Sequence, residues 1–139
     1  ILHECGEVFC TKMNKLLFYI DFLSYRQRGY SMSGLCYRAI DFGPVPDRWD
    51  RVYSEFDEIH QEPRPIGEYE GNVLVANTDI DDSVLSSEDK SIIHNVCERF
   101  KNCSSREISA ISHEEPSWQK YHTLHSRIPF AEAFTLKAI

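Results

Sequence analysis

The sequence has no long apolar run. None of its stretches approaches the roughly 18 consecutive apolar residues of a membrane-spanning helix, which excludes a helical anchor within these 139 residues. A Gly-rich phosphate loop and a Gly-x-Ser-x-Gly elbow are both missing, so phosphoryl transfer and α/β-hydrolase chemistry lack their signatures. Clustered basic residues are missing too. Against 22 acidic residues stand 15 Lys and Arg, a net charge of -7, the wrong sign for gripping a phosphate backbone. No cysteine pair has zinc-finger spacing. Cys5, Cys10, Cys36, Cys97 and Cys103 are odd in number in a chain large enough to fold without staples, and read as reduced thiols in a cytoplasm. No basic-then-apolar leader and no initiating methionine are seen at Ile1, so the expectation is a piece of a longer chain without a secretory signal.

What is present describes a folded domain. At 42% hydrophobic, 12% aromatic and 27% charged, the composition is far from that of disorder. At this length roughly two-thirds of the unfolded chain's surface can be buried, which is enough for one core. The charge is unevenly placed: Ser54–Lys90 holds eleven acidic residues against Arg64 and Lys90, nine net negative charges, while the remainder is net +2. Such a segment suits solvent or a basic partner.

Between Thr11 and Arg28, Met13, Leu16, Leu17, Ile20 and Leu23 recur at helical spacing and Phe18, Tyr19, Phe22 and Tyr25 widen the apolar surface. Asn14, Asp21 and Arg28 leave only a narrow polar stripe, so this helix is expected at the centre of the fold, ended by Gly29. "GLCYRAIDF" reads as a short strand closed by the corner "GPVP". Pro46 and Asp47 then suit a helix start, which predicts a second helix over "PDRWDRVYSEFDEI" with Trp49, Val52, Tyr53 and Phe56 on its buried face. Pro63 and Pro65 are expected to stop it, and Gly71-Asn72 to turn a hairpin between "IGEYE" and "VLVAN". Ser86 with Asp89 and Ser104 with Glu107 are capping-box pairs opening two further helices, and Pro116 and Pro129 front two short ones. The expected fold class is α+β and mainly α-helical, a compact helical domain with a small antiparallel sheet or hairpin.

Candidate chemistry is sparse. "DIDDS" places Asp79, Asp81 and Ser83 at calcium-loop positions one, three and five, but Val84 stands where that loop needs Gly and Lys90 where it needs Glu. Asp79, Asp81 and Asp82 are therefore read as a solvated loop. His122 and His125 lie one helical turn apart near His113, without metalloprotease spacing, and are read as exposed helix residues. No metal, cofactor or catalytic residue is assigned. Trp118 is read as a core anchor ahead of a contact residue, and His113 as structural, its ring capping a helix end or bonding a carbonyl.

The ordered set "KMNKLLFYIDFLSY", "GLCYRAIDFGPVPDRWDRVY", "LSSEDKSIIHNV", "SHEEPSWQKY" and "IPFAEA" resembles the Panacea, or SocA-like, antitoxin domain across about residues 11 to 134. The resemblance implies a mainly helical domain that binds and neutralises a cognate toxin. It implies no enzyme and no catalytic residues. Other members imply two alternatives: an adaptor that presents its toxin to a protease, or the partner-binding part of a regulator whose DNA-contacting region lies upstream. DNA would then be met only through a region absent here. Residues 1–10 are taken as an N-terminal segment, the remnant of a linker, and 11–139 as the antitoxin domain. The family pattern commonly has an apolar residue or proline before the aromatic-Gly-Pro corner, where this chain has Asp41. Gly43, Pro44 and Pro46 are expected to be structural. Phe42, Val45 and Trp49 are read first as core and second as an apolar patch that, with the Asp79, Asp81 and Asp82 loop, meets the toxin.

Overall fold

The computed structural model describes residues 1–139 and opens with a single helical turn, α1 (Leu2–Cys5), and a two-residue strand, β1 (Val8–Phe9). The chain then enters the long helix α2 (Cys10–Arg28), ended by Gly29 in the left-handed conformation with its N–H on the Tyr25 carbonyl. As the apolar girth of this segment predicts, α2 is the axis of the fold. Met13, Leu16, Phe18, Tyr19, Ile20, Phe22 and Leu23 are all buried. The polar stripe is not a solvent face. Asn14 accepts from the Tyr53 hydroxyl at 2.5 Å, Asp21 is buried under four donors, and Arg28 pairs with Asp89 at 2.8 Å.

The next two strands, β2 (Tyr37–Ile40) and β3 (Gly43–Pro46), are antiparallel, with Tyr37 opposite Pro46 and Ile40 opposite Gly43. Here the expected second helix is overturned. Pro46 ends a strand, residues 47–51 turn, and only Val52–Glu55 form a 3-10 turn. Asp47 explains why: its N–H continues the ladder to the Cys36 carbonyl at 2.9 Å. Its carboxylate is claimed by Arg38 at 3.1 Å and Arg127 at 2.6 Å, so it does not cap a helix.

The hairpin is also shifted. β4 (Ile59–Ile66) pairs with β5 (Tyr69–Ala76), and the two-residue turn is Gly67-Glu68, with positive φ (61°) at Gly67 alone, as a II′ turn needs. Gly71 and Asn72 sit within β5, opposite Arg64 and Pro63. Pro63 and Pro65 stop no helix; they lie in β4, the outer strand of the β1-β5-β4 sheet, where a missing N–H costs no ladder bond. β1 completes that sheet with Val8 opposite Leu74, so the expected N-terminal segment 1–10 packs on the same core.

Both capping boxes form as predicted, Ser86 with Asp89 opening α3 (Ser87–Phe100) and Ser104 with Glu107 opening α4 (Ser105–His113). Pro116 fronts α5 (Pro116–Tyr121), which runs into a 3-10 turn at His122–Leu124. The two-residue strand β6 (Arg127–Ile128) joins β2, giving a second sheet of order β3-β2-β6, and a 3-10 turn at Phe130–Thr135 follows Pro129. The fold is a compact α+β domain whose β part is two three-stranded antiparallel sheets, more than the single small element expected. No helix is long and apolar enough to cross a membrane.

Candidate functional site

The corner at Gly43 is built over a buried lysine. Gly43 has φ 99°, a left-handed value, and a Cβ there would lie 2.6 Å from Lys15 Cε and 2.7 Å from Ser112 Oγ. Lys15, on α2, is fully buried and its Nζ has no hydrogen-bond partner. Burial alone pulls its pKa down to about 7. A hollow of about 200 Å³ opens beside it, lined by Thr11, Asn14, Lys15, Phe42, Val45 and Trp49.

The expected patch is divided by the strand. Val45 faces inward at 1% exposure, while Phe42 (66%) and Trp49 (43%) stand at the surface on either side of β3 in sequence. Val45 therefore belongs to the core, as its first reading had it. Its two aromatic neighbours remain exposed.

Trp118 is half-buried and its indole N–H donates to the Ile40 carbonyl at 2.8 Å, pinning α5 to the end of β2. His113 and His122 both stack on this indole, with ring centroids at 4.2 and 4.1 Å. His113 Nε2 is buried without a partner; burial and the nearby Lys15 charge hold the ring's pKa below the usual value, against a bond to the Asp41 backbone that raises it. His122 and His125 do not lie side by side on a helix. His122 begins the 3-10 turn, His125 follows it with φ 48°, and both Nε2 atoms reach the same oxygen, Asp41 Oδ1, at 3.0 and 2.9 Å. Asp41 is held below the usual carboxylate range by these two imidazoles, His125 first.

On another face, an apolar groove of about 340 Å³ is lined by Met13, Leu17, Val52, Tyr53, Phe56 and Ile80, among others. Ile80 also lines an adjoining hollow of about 470 Å³ with Asp81, Asp82, Val84 and Lys90. Asp79 is exposed and makes no ion pair or hydrogen bond, Asp81 accepts from Ser83 N at 2.9 Å, and Asp82 pairs with Lys90 at 3.1 Å. The loop is thus solvated as predicted, and it borders an apolar groove that the sequence pattern did not disclose. No lining residue is shared between this groove and the Phe42–Trp49 hollow.

The sequence model of the family described as antitoxin SocA-like, Panacea domain, matches residues 13–119. The chain belongs to the SocA-like Panacea antitoxin family. The matched span begins within the first turn of α2, at Met13, includes the Gly43–Pro46 corner and ends one residue after Trp118. No curated protein and no solved structure matches the chain. Within this Panacea domain the sequence reading assigned no role to Lys15 or Glu115, and it met Asp41 only as a departure from the family pattern. Glu115 is fully buried and accepts from the Tyr19 hydroxyl at 3.1 Å and from the Lys137 and Ala138 amides at 2.9 and 3.0 Å. A lysine inside an otherwise apolar helical face is the one signal that reading could have used.

Proposed function

We propose that this domain binds and neutralises a cognate toxin protein, acting as an interaction module and not as an enzyme. The observation that carries the reading, beside family membership, is the apolar groove edged by acid. Phe56 and Ile80 are large apolar side chains left open to solvent there, next to Asp79, Asp81 and Asp82. A groove of this kind fits a toxin segment that inserts one or two apolar side chains and carries Lys or Arg beside them. The exposed Phe42 and Trp49 provide a second point of contact. The -9 balance of the Ser54–Lys90 segment would speed encounter with a basic toxin through long-range attraction.

The test is co-expression with the product of the adjacent gene. Rescue of growth and a co-purifying complex are expected. A neighbour that is toxic, is never rescued and never co-purifies would remove the reading.

A further inference from the structure

We propose that Asp41, His122 and His125 form a binding site for a divalent transition metal of the zinc class. This goes beyond toxin binding and does not depend on it. The three ligand atoms come from two separate connections, the β2–β3 turn and the α5–β6 link, more than 80 residues apart in sequence, and all lie within 4.8 Å of one another. Zinc with bonds of about 2.0–2.2 Å places tetrahedral ligand atoms roughly 3.3–3.5 Å apart. The two contacts to Asp41, 2.9 and 3.0 Å, need to open by a few tenths of an ångström, and the two Nε2 atoms, within 4.8 Å of each other, need to settle at the same spacing by rotation of the rings.

The surroundings hold the ligands in place. His122 is stacked on Trp118, and Trp118 is bonded to Ile40, the residue before Asp41. The His125 carbonyl accepts from Arg38 at 3.0 Å and the Ser126 carbonyl accepts from Ala39 N at 3.0 Å, so the link is tied to β2 at the histidine and at the residue after it. His125 takes its ring to Asp41 from a left-handed backbone, a conformation few non-glycine residues adopt. Two imidazoles and one carboxylate are a donor set for Zn²⁺, Ni²⁺ or Cu²⁺ and a poor one for Mg²⁺ or Ca²⁺. On binding, each imidazole presents its Nε2 lone pair to the metal and keeps its proton on Nδ1. Three protein ligands leave a fourth position, open on the exposed Asp41 side, for water or a partner's side chain. Bound metal would lock the turn from which Phe42 projects.

The experiment is zinc titration of chelator-treated protein by calorimetry, with cobalt substitution read in the visible spectrum. One equivalent should bind with a Kd of about 10 µM or tighter, and cobalt should show tetrahedral d–d bands. Asp41→Asn and His125→Asn should each weaken binding at least about tenfold, equivalent to about 1.4 kcal/mol, with wild-type circular dichroism. The Asn at 125 tolerates the left-handed backbone. If His125→Asn does not fold, Asp41→Asn, at an exposed position, decides alone. The site is refuted if wild-type protein takes up no zinc in this range. It is equally refuted if the variants bind as wild type does, since the metal would then sit on other histidines such as His60 or His94.

Discussion

Gly43 and Lys15 exclude one another's growth: a Cβ on Gly43 would stand 2.6 Å from Lys15 Cε, with Ser112 Oγ at 2.7 Å on the same side. Ser112 cannot yield freely because its hydroxyl is held by the Ser109 carbonyl at 2.7 Å. Gly43→Ala should therefore cost about 2–4 kcal/mol, combining left-handed strain with the clash. Urea denaturation measures it. A loss under about 0.5 kcal/mol would mean that the corner is not rigidly seated.

Lys15 makes stability depend on pH in a defined direction. Its folded pKa, about 7, lies below the ordinary 10.5, so between these values the unfolded chain holds the extra proton and stability rises with pH. Below pH 7 the full cost of a buried, unpaired ammonium is present. Lys15→Met should stabilise the domain by about 1–4 kcal/mol at pH 6, and by much less at pH 10. Denaturation midpoints of both proteins across pH 6–10 give the comparison, and parallel curves would contradict it.

Asp21 organises the end of α2 and the loop after it. It receives Met32 N at 2.8 Å, Ser33 N at 2.7 Å, the Tyr37 hydroxyl at 2.5 Å and the Ser33 hydroxyl. Asp21→Asn keeps the shape but turns an amide NH₂ toward donors, which should cost about 1–3 kcal/mol. Thermal unfolding reads the loss, and near-ultraviolet dichroism should show Tyr37 loosened.

Val45 and its aromatic neighbours should behave oppositely. Truncating Phe42 and Trp49 together to Ala should leave stability within about 1 kcal/mol and weaken binding of the neighbouring-gene toxin at least about tenfold. Val45→Ala should cost about 1–2 kcal/mol of stability and leave affinity unchanged once folding is corrected for. Equal affinity of the double variant and wild type would take Phe42 and Trp49 out of the interface.

Reversing Asp79, Asp81 and Asp82 together to Lys removes two exposed contacts of Asp82, with Lys90 at 3.1 Å and with His3 at 3.6 Å, each worth at most about 1 kcal/mol. Association with the toxin should slow and lose salt dependence, since exposed charges act mainly on encounter. Stopped-flow rates at several ionic strengths would show it. Wild-type rates throughout would mean that the loop is only a solvated connection.

Features written locally were readable from the sequence. The apolar girth of α2, the Ser86 and Ser104 capping boxes and the proline before α5 each specify their element within a few residues. Pro46, Pro63 and Pro65 misled because proline has two uses, opening a helix or lying on the outer side of a strand, and only the pairing partner decides between them. Asp41 with His122 and His125, and Lys15 under Gly43, unite positions far apart in the chain, so no window of sequence contains them.

The prolines that misled the reading also guard the domain. Pro63 and Pro65 strip outward N–H donors from the free side of β4, and Pro44 and Pro46 do the same for β3, while the other two sheet borders, β1 and β6, are only two residues long. A further strand, from a second copy or from a partner, therefore finds no continuous row of backbone donors to zip onto. Strand addition along these edges is disfavoured, and so is self-assembly into sheet-like aggregates. Whatever docks here must read side chains, and can be exchanged by replacing a few of them while the backbone frame stays as it is.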